Sequence, residues 1–141
     1  MADINVKVMK VEDGQLPIYK RADDCCMDCF SRDNAVLQRG ERRLIHLGFA
    51  MELPNGWEGV IRPRSGMSAK GIDVAIGTLD TNYRGEVMAN VINNSDFEYR
   101  IEKGNRICQL AIRPAPKVYW QEVEELSESE RNSDGFGSSG K

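Results

Sequence analysis

The sequence predicts an all-β fold of many short strands, a sandwich or a barrel. Apolar residues recur at every second position in several short runs, which is the period of a half-buried strand. Turn-forming groups such as Pro54-Asn55-Gly56, Asn93-Asn94-Ser95-Asp96 and Lys103-Gly104-Asn105 separate those runs. Only Ser65 to Lys70 offers a helix, and Gly66 and Gly71 keep it short.

Taken in order, Ile4, Val6 and Val8 alternate with polar residues and form the first expected strand. Arg43 to Leu53 is the second run, stopped by Pro54-Asn55-Gly56. Trp57 to Arg62 follows and ends at Pro63. Gly85 to Asn93 places Val87, Ala89 and Val91 on one face. Phe97, Tyr99 and Ile101 alternate again. Ile107 to Ile112 is the next strand, with Gln109 expected on the face of Ile107, and Lys117 to Val123 is the expected last one. There is no internal repeat and no coiled-coil heptad.

A chain of 141 residues fits one domain. Its net charge of −3 excludes a protein that coats nucleic acid through a basic surface, yet a few placed arginines can still bind an anionic nucleotide. No apolar run approaches the roughly 20 residues of a membrane span. Met1 to Lys10 lacks the apolar core of a secretory signal, so a cytoplasmic location is expected. Of the four cysteines, Cys26 and Cys29 form a C-x-x-C pair with Cys25 adjoining. Cys108 and the single His46 do not complete a zinc spacing, so the thiols are expected to pack as small apolar groups.

The segments that carry chemistry are few. Gly77 to Glu86 puts Asp80 just ahead of a tight turn, Tyr83 three residues on, then Arg84-Gly85. A short hairpin of this kind holds a carboxylate and an aromatic ring at its tip. Pro63-Arg64-Ser65-Gly66 follows a strand and opens a helical turn, where main-chain N–H groups attract phosphate; Arg64, Ser65 and Ser68 add donors. It lacks the Walker A spacing. Arg106 in the turn before Ile107 reads equally as a structural ion pair. Asp28 lies among Met27 and Cys29 and reads either as a turn residue or as a magnesium partner. From Ser127 the chain turns to Ser, Gly and charge, a composition shared by disordered termini and by lids that order over an anion. Arg131, Phe136 and the glycines around it supply a phosphate fork, a ring to stack and close main-chain approach.

Together these segments resemble the five ordered motifs of the homotrimeric dUTPases. Leu16-Pro17-Ile18-Tyr19 leads to Asp28; Arg64-Ser65-Gly66, Gly77 to Glu86 and Gly104 to Leu110 follow; Gly135-Phe136-Gly137-Ser138-Ser139-Gly140 closes the series. The resemblance implies a distorted jelly-roll-like β barrel over residues 1–126 and a flexible C-terminal lid arm over 127–141. It implies a homotrimer with shared sites, and a dUTP diphosphatase that makes dUMP and pyrophosphate with Mg2+. Asp80 is then expected to activate the attacking water and Tyr83 to lie under the deoxyribose. Main chain around Thr78, Leu79 and Met88 should read uracil. Arg64, Ser65, Gly66 and Gln109 should meet the phosphates, and Asp28 should hold Mg2+ through water. Arg131, Phe136, Gly137 and Ser138 should close the site. Cys25-Cys26 stand where the family has small residues, Val74 where it often has a uracil-reading asparagine, Asn82 where an acid is common and Ser139 where threonine is usual. Phe97 is an aromatic that either joins the site or packs elsewhere. A dCTP deaminase of the same fold and a trimeric nucleotide-sensing binding protein are the alternatives; Asp80 with the tail motif favours the hydrolase.

Overall fold

The computed structural model describes residues 3–135 and residue 137. Among them are eleven strands and one short helix. The strands are β1 (Lys7–Lys10), β2 (Met27–Phe30), β3 (Ala35–Leu37), β4 (Arg42–His46), β5 (Phe49–Glu52), β6 (Trp57–Arg62), β7 (Ile72–Val74), β8 (Gly77–Leu79), β9 (Met88–Asn93), β10 (Tyr99–Ile101) and β11 (Arg106–Pro114); helix α1 (Ser65–Ala69) lies between β6 and β7. All the pairings between them are antiparallel. They build a four-stranded sheet β2-β11-β6-β8, a three-stranded sheet β4-β9-β7, and the pairs β1-β5 and β10-β3. The sheets do not close into one hydrogen-bonded barrel; they wrap a common core in a jelly-roll-like, nearly all-β arrangement.

That core explains the alternation. Leu37, Ile45, Phe49, Ile61, Val87, Ala89, Val91, Ile101, Ile107 and Leu110 are all at most 1% exposed. Along β9, Ala89 and Val91 point inward while Asn90 and Ile92 are half-buried on the other face. Removing a core side chain as large as Phe49 costs on the order of 3–5 kcal/mol. At a total stability of about 5–15 kcal/mol, one such cavity is a large fraction of the whole.

Several elements depart from the expected ones. The run Arg43 to Leu53 divides at Leu47-Gly48 into β4 and β5, which lie in different sheets. Gly48 has φ +77 and sits so close to Gly14 that a Cβ would lie 2.4 Å from the Gly14 Cα, so the chain can turn only on a glycine here. Asp80 and Tyr83 do not cap a hairpin, because β8 pairs with β6 whereas β9 pairs with β4 and β7. A β-bulge between Arg106 and Cys108 breaks the alternation of β11. Ile107 and Cys108 are consequently both buried, and half-buried Gln109 takes the opposite face from the expected one. Lys117 to Val123 is not a strand. Val118, Tyr119 and Trp120 are 68%, 89% and 92% exposed, and no described strand pairs with this segment.

Candidate active site

Strands β2 and β11 bring the first half of the site together. Their register sets Asp28 opposite Gln109, and Gln109 also faces Arg62 at the end of β6. The chain leaves β6 through Pro63 into α1, so Arg64, Ser65 and Gly66 stand over the same strand ends. These residues line a cleft of about 330 Å³ with Lys20, Arg21, Asp24, Cys25 and Cys26. Helix α1 has no side-chain cap, and buried Met67 anchors it. The Ser65 and Gly66 side of the turn therefore faces an opening. Ser68 does not; its hydroxyl donates to Asp73 Oδ1 at 2.6 Å, so the expected third donor is spent inside the fold.

Asp28 is the organising charge. Its side chain is only 13% exposed and sits 3.8 Å from Arg64 Nε and 3.5 Å from Arg106 Nε. Arg64 Nη1 donates to the Arg106 carbonyl at 3.1 Å, and the Arg106 guanidinium lies 5.7 Å from the centre of the Phe30 ring. One carboxylate thus holds two guanidinium groups at the cleft. Gln109 Nε2 donates to the Pro63 carbonyl at 3.1 Å, tying β11 to the α1 turn. Lys20, Arg21 and Arg64 outweigh Asp24 and Asp28 along the lining by one positive charge, a setting that favours an anion. Among the described residues no three His, Cys, Asp or Glu side chains cluster as a metal cage. A single carboxylate beside an anion site nevertheless fits Mg2+, which keeps most of its water and takes one or two carboxylates plus phosphates.

The second half lies elsewhere on the chain. Asp80 follows β8 and is exposed; the ion pairs of its loop go to Arg84 and Glu86 instead. The Tyr83 N–H donates to the Asp80 carbonyl at 3.2 Å, and the Tyr83 hydroxyl donates to the Glu86 carbonyl at 2.8 Å. The end of the ring lies over Gly85, where a Cβ would come within 2.6 Å of the hydroxyl, so a larger residue there would displace the ring end. Thr78 and Met88 are exposed and Leu79 half-buried beside this turn. Leu79 pairs with Gly59, which pairs with Ile112, so Asp80 falls beside the next row, Glu58 and Arg113. From Gln109 that is four residues along and two strands across, roughly 16 Å at ~3.3 Å per residue and ~4.8 Å per strand. The cleft lining contains neither Asp80 nor Tyr83.

Other expected residues are placed as follows. Arg131 curls onto its own turn, donating to the Asp134 carbonyl, and is exposed away from the cleft. Gly137 has φ +93. Phe136 and Ser138 lie outside the described residues, as does Ser139. Val74 is core, 4% exposed. Phe97 is 78% exposed on a turn remote from the cleft lining. Cys29 and Cys108 are fully buried register partners, and the hydrogen bond of the Cys29 thiol to Cys108 together with burial pushes that thiol up. Cys25 and Cys26 instead border the cleft. Lys20 and Arg21 were not expected at the site; the basic pair directly after Tyr19 was the available signal. Arg106 takes the structural ion pair that was one of its two expected readings.

An all-β chain with a basic cleft of this kind, and an acid-and-tyrosine turn on a separate sheet edge, has the build of a nucleotide-phosphate-binding β protein. The dUTPase family model matches residues 12–140. A deoxyuridine 5'-triphosphate nucleotidohydrolase of Clostridium tetani is 43% identical, covering 98% of this chain and 97% of the relative. Its counterpart from Hydrogenobaculum sp. is 47% identical over 92% of each. The dUTPase of Staphylococcus bacteriophage 80alpha, solved with dUPNHPP, superposes with a TM-score of 0.91 at 31% identity, over 96% of this chain and 98% of that one. The chain belongs to the dUTPase family.

Proposed function

We propose that this protein hydrolyses dUTP to dUMP and pyrophosphate, limiting uracil in DNA and supplying dUMP. The observation that carries the reading is the convergence of Asp28, Arg64, Ser65, Gly66 and Gln109 in one basic cleft of a dUTPase-family chain. Arg64, with the Ser65 hydroxyl and the Ser65 and Gly66 amides, binds the triphosphate, and Gln109 lies beside it. Asp28 would hold Mg2+ through water, and the ion would supply neutralisation of phosphate charge. Asp80 accepts a proton from water as the water oxygen bonds to the α-phosphorus. The bond from that phosphorus to the bridging oxygen breaks, and pyrophosphate leaves. Positioning and charge neutralisation supply most of the acceleration, with no covalent enzyme intermediate.

Tyr83 lies under the deoxyribose, where a 2′-hydroxyl would meet the ring. Main chain at Thr78, Leu79 and Met88 reads uracil; mismatched polar groups in such a site cost up to ~10⁴-fold. Residues 1–126 form the barrel domain, and 127–141 form an arm in which Arg131, Phe136, Gly137 and Ser138 close over the nucleotide. The roughly 16 Å between Gln109 and Asp80 on one chain supports a homotrimer in which copies lend each other the two halves. Exposed Tyr119 and Trp120 support the same assembly, since apolar side chains this bare call for a cover. No described helix is long and apolar enough to cross a membrane, and we place the enzyme in the cytoplasm.

The test is incubation of the purified protein with dUTP and Mg2+, beside UTP, dCTP and dTTP. Pyrophosphate should appear with dUTP and barely with the others. No dUMP from dUTP would overturn the proposal.

A further inference from the structure

Nothing in the chemistry above uses Arg32, yet it forms a two-pronged ion pair with Glu86, 54 residues away. Arg32 Nε and Nη2 donate to the two Glu86 carboxylate oxygens at 2.8 and 2.9 Å, and the Gly48 N–H donates to the same carboxylate at 2.9 Å. The side chains are 20% and 14% exposed. Arg32 is itself fixed, its N–H donating to the His46 carbonyl at 2.8 Å. The pair therefore ties the loop after β8 to the turn between β2 and β3, and the Gly48 bond ties it to the segment between β4 and β5.

What the pair adds is visible from the main chain around it. Val87 is already held on both sides, its N–H donating to the Phe49 carbonyl at 2.9 Å and its carbonyl accepting from Leu47 at 3.0 Å. Main-chain anchoring of the loop thus ends at Val87. Glu86 lies one residue further out, and its carbonyl is the acceptor for the Tyr83 hydroxyl. Tyr83 in turn bonds to the Asp80 carbonyl. Take the side-chain pair away and the peptide that fixes the ring can swing about Val87.

We infer that Arg32 and Glu86 are positioning residues: the guanidinium holds Glu86, Glu86 holds the Tyr83 ring, and the ring angle sets discrimination between deoxyribose and ribose nucleotides. Arg32 lies outside all five motifs and touches no part of the cleft lining. The inference rests on the proposed dUTP hydrolysis and assigns the sugar selectivity of that same site to a remote pair. A planar fork on a carboxylate suits the task, because two parallel bonds fix direction as well as distance.

The experiment compares the full-length protein with Arg32→Ala and, in case that variant folds poorly, with Glu86→Gln, which keeps an acceptor for Gly48 but removes the ion pair. kcat and KM are measured for dUTP and for UTP. Displacing a positioned group by about 1 Å can cost ~10²-fold. The dUTP-to-UTP ratio of kcat/KM should fall about tenfold in Arg32→Ala, and by less in Glu86→Gln. Amides from Tyr83 to Glu86 should exchange hydrogen faster, while those of β11 keep their protection. An unchanged ratio in an active, folded variant overturns the inference and leaves the proposed hydrolysis intact. Absence of dUTP turnover in the unsubstituted protein sinks the hydrolysis itself.

Discussion

Asp80 illustrates how one side chain earns a chemical role by what its neighbours leave undone. Arg84 pairs with Glu52 and Arg32 with Glu86, so the cations nearest the turn are engaged and the Asp80 carboxylate faces solvent. Asp80→Asn keeps the size and a hydrogen-bonding carbonyl but removes the base. kcat for dUTP should drop about 10²–10⁴-fold while dUTP affinity, read by calorimetry, stays within a few-fold. Turnover near the starting rate would take Asp80 out of its assigned part. Glu86 supports a second expectation. The hydrogen bond from Arg32, then the Gly48 N–H and the Arg32 charge, hold its carboxyl below the usual carboxylate range against the opposing effect of burial. A lowered folded pKa means that the stabilisation is present above the unfolded value of ~4.3 and fades as pH falls through the folded one. Glu86→Gln should therefore melt several degrees lower near neutral pH, and the gap should narrow as pH drops below about 4. Asp33 is also held below the usual carboxylate range, burial that raises it being outweighed by hydrogen bonds from the His46 main chain and ring and by the His46 and Arg32 charges, so it shares Arg32 with Glu86. A gap that is constant from neutral to acid pH would contradict the linkage. The Asp80–Tyr83 turn was readable from the sequence because its main-chain bond is local, and Arg64 because it opens the turn after a strand, although its partners Asp28 and Arg106 lie far along the chain. The Arg32–Glu86 pair was not, since only the folded register brings residues 54 apart together.

At the scale of elements, the cleft depends on a β-bulge and a five-residue helix. The bulge at Arg106 to Cys108 sends Gln109 to the face that Asp28 shares, and α1 begins where β6 runs out beside it. Strand β9 was readable because six residues give alternation room to show, and β6 and β11 because their apolar runs of six to nine residues are bounded by turn signals. β3, β7 and β8 have three residues each, too few for a period to register. β2 was hidden for a different reason: Met27-Asp28-Cys29-Phe30 mixes a site carboxylate into a core strand. From Ser127 the chain has neither strand nor helix among the described residues, which agrees with its Ser, Gly and charge composition, whereas Lys117 to Val123 departs from the expected strand. Deleting Arg131 to Lys141 removes no described residue of the core. The truncated protein should melt within about 2 °C of the intact one, whereas kcat/KM for dUTP should fall by at least ~10²-fold, because the proposed closure would exclude water and add phosphate contacts. A melting point unchanged together with an unchanged rate would return the arm to the status of a loose terminus.

The whole molecule is where the two halves of the site must meet. Arg64 and Gln109 lie at one end of the β2-β11-β6-β8 sheet, and Asp80 lies beside the row of Glu58 and Arg113 toward the other. Jelly-roll packing holds both positions fixed, so bending one chain to join them would tear core pairs such as Ile61 and Leu110. In the proposed homotrimer a neighbouring copy would present its own Asp80 turn without deforming anything. A site shared in this way behaves as no single-chain site can. Asp80→Asn and Arg64→Ala should each be nearly inactive alone. Mixed in equal amounts, unfolded and refolded together, they form sites that draw Arg64 from one copy and Asp80 from another. Random assembly makes about half of each contribution intact, so roughly a quarter of the sites regain both groups. dUTP turnover should recover to that order, and it should appear only after subunits exchange. If each chain completes its own site, every site in the mixture still carries one lesion and co-refolding restores nothing. The size of the recovery, followed as the ratio of the two variants is varied, then counts how many copies build one site.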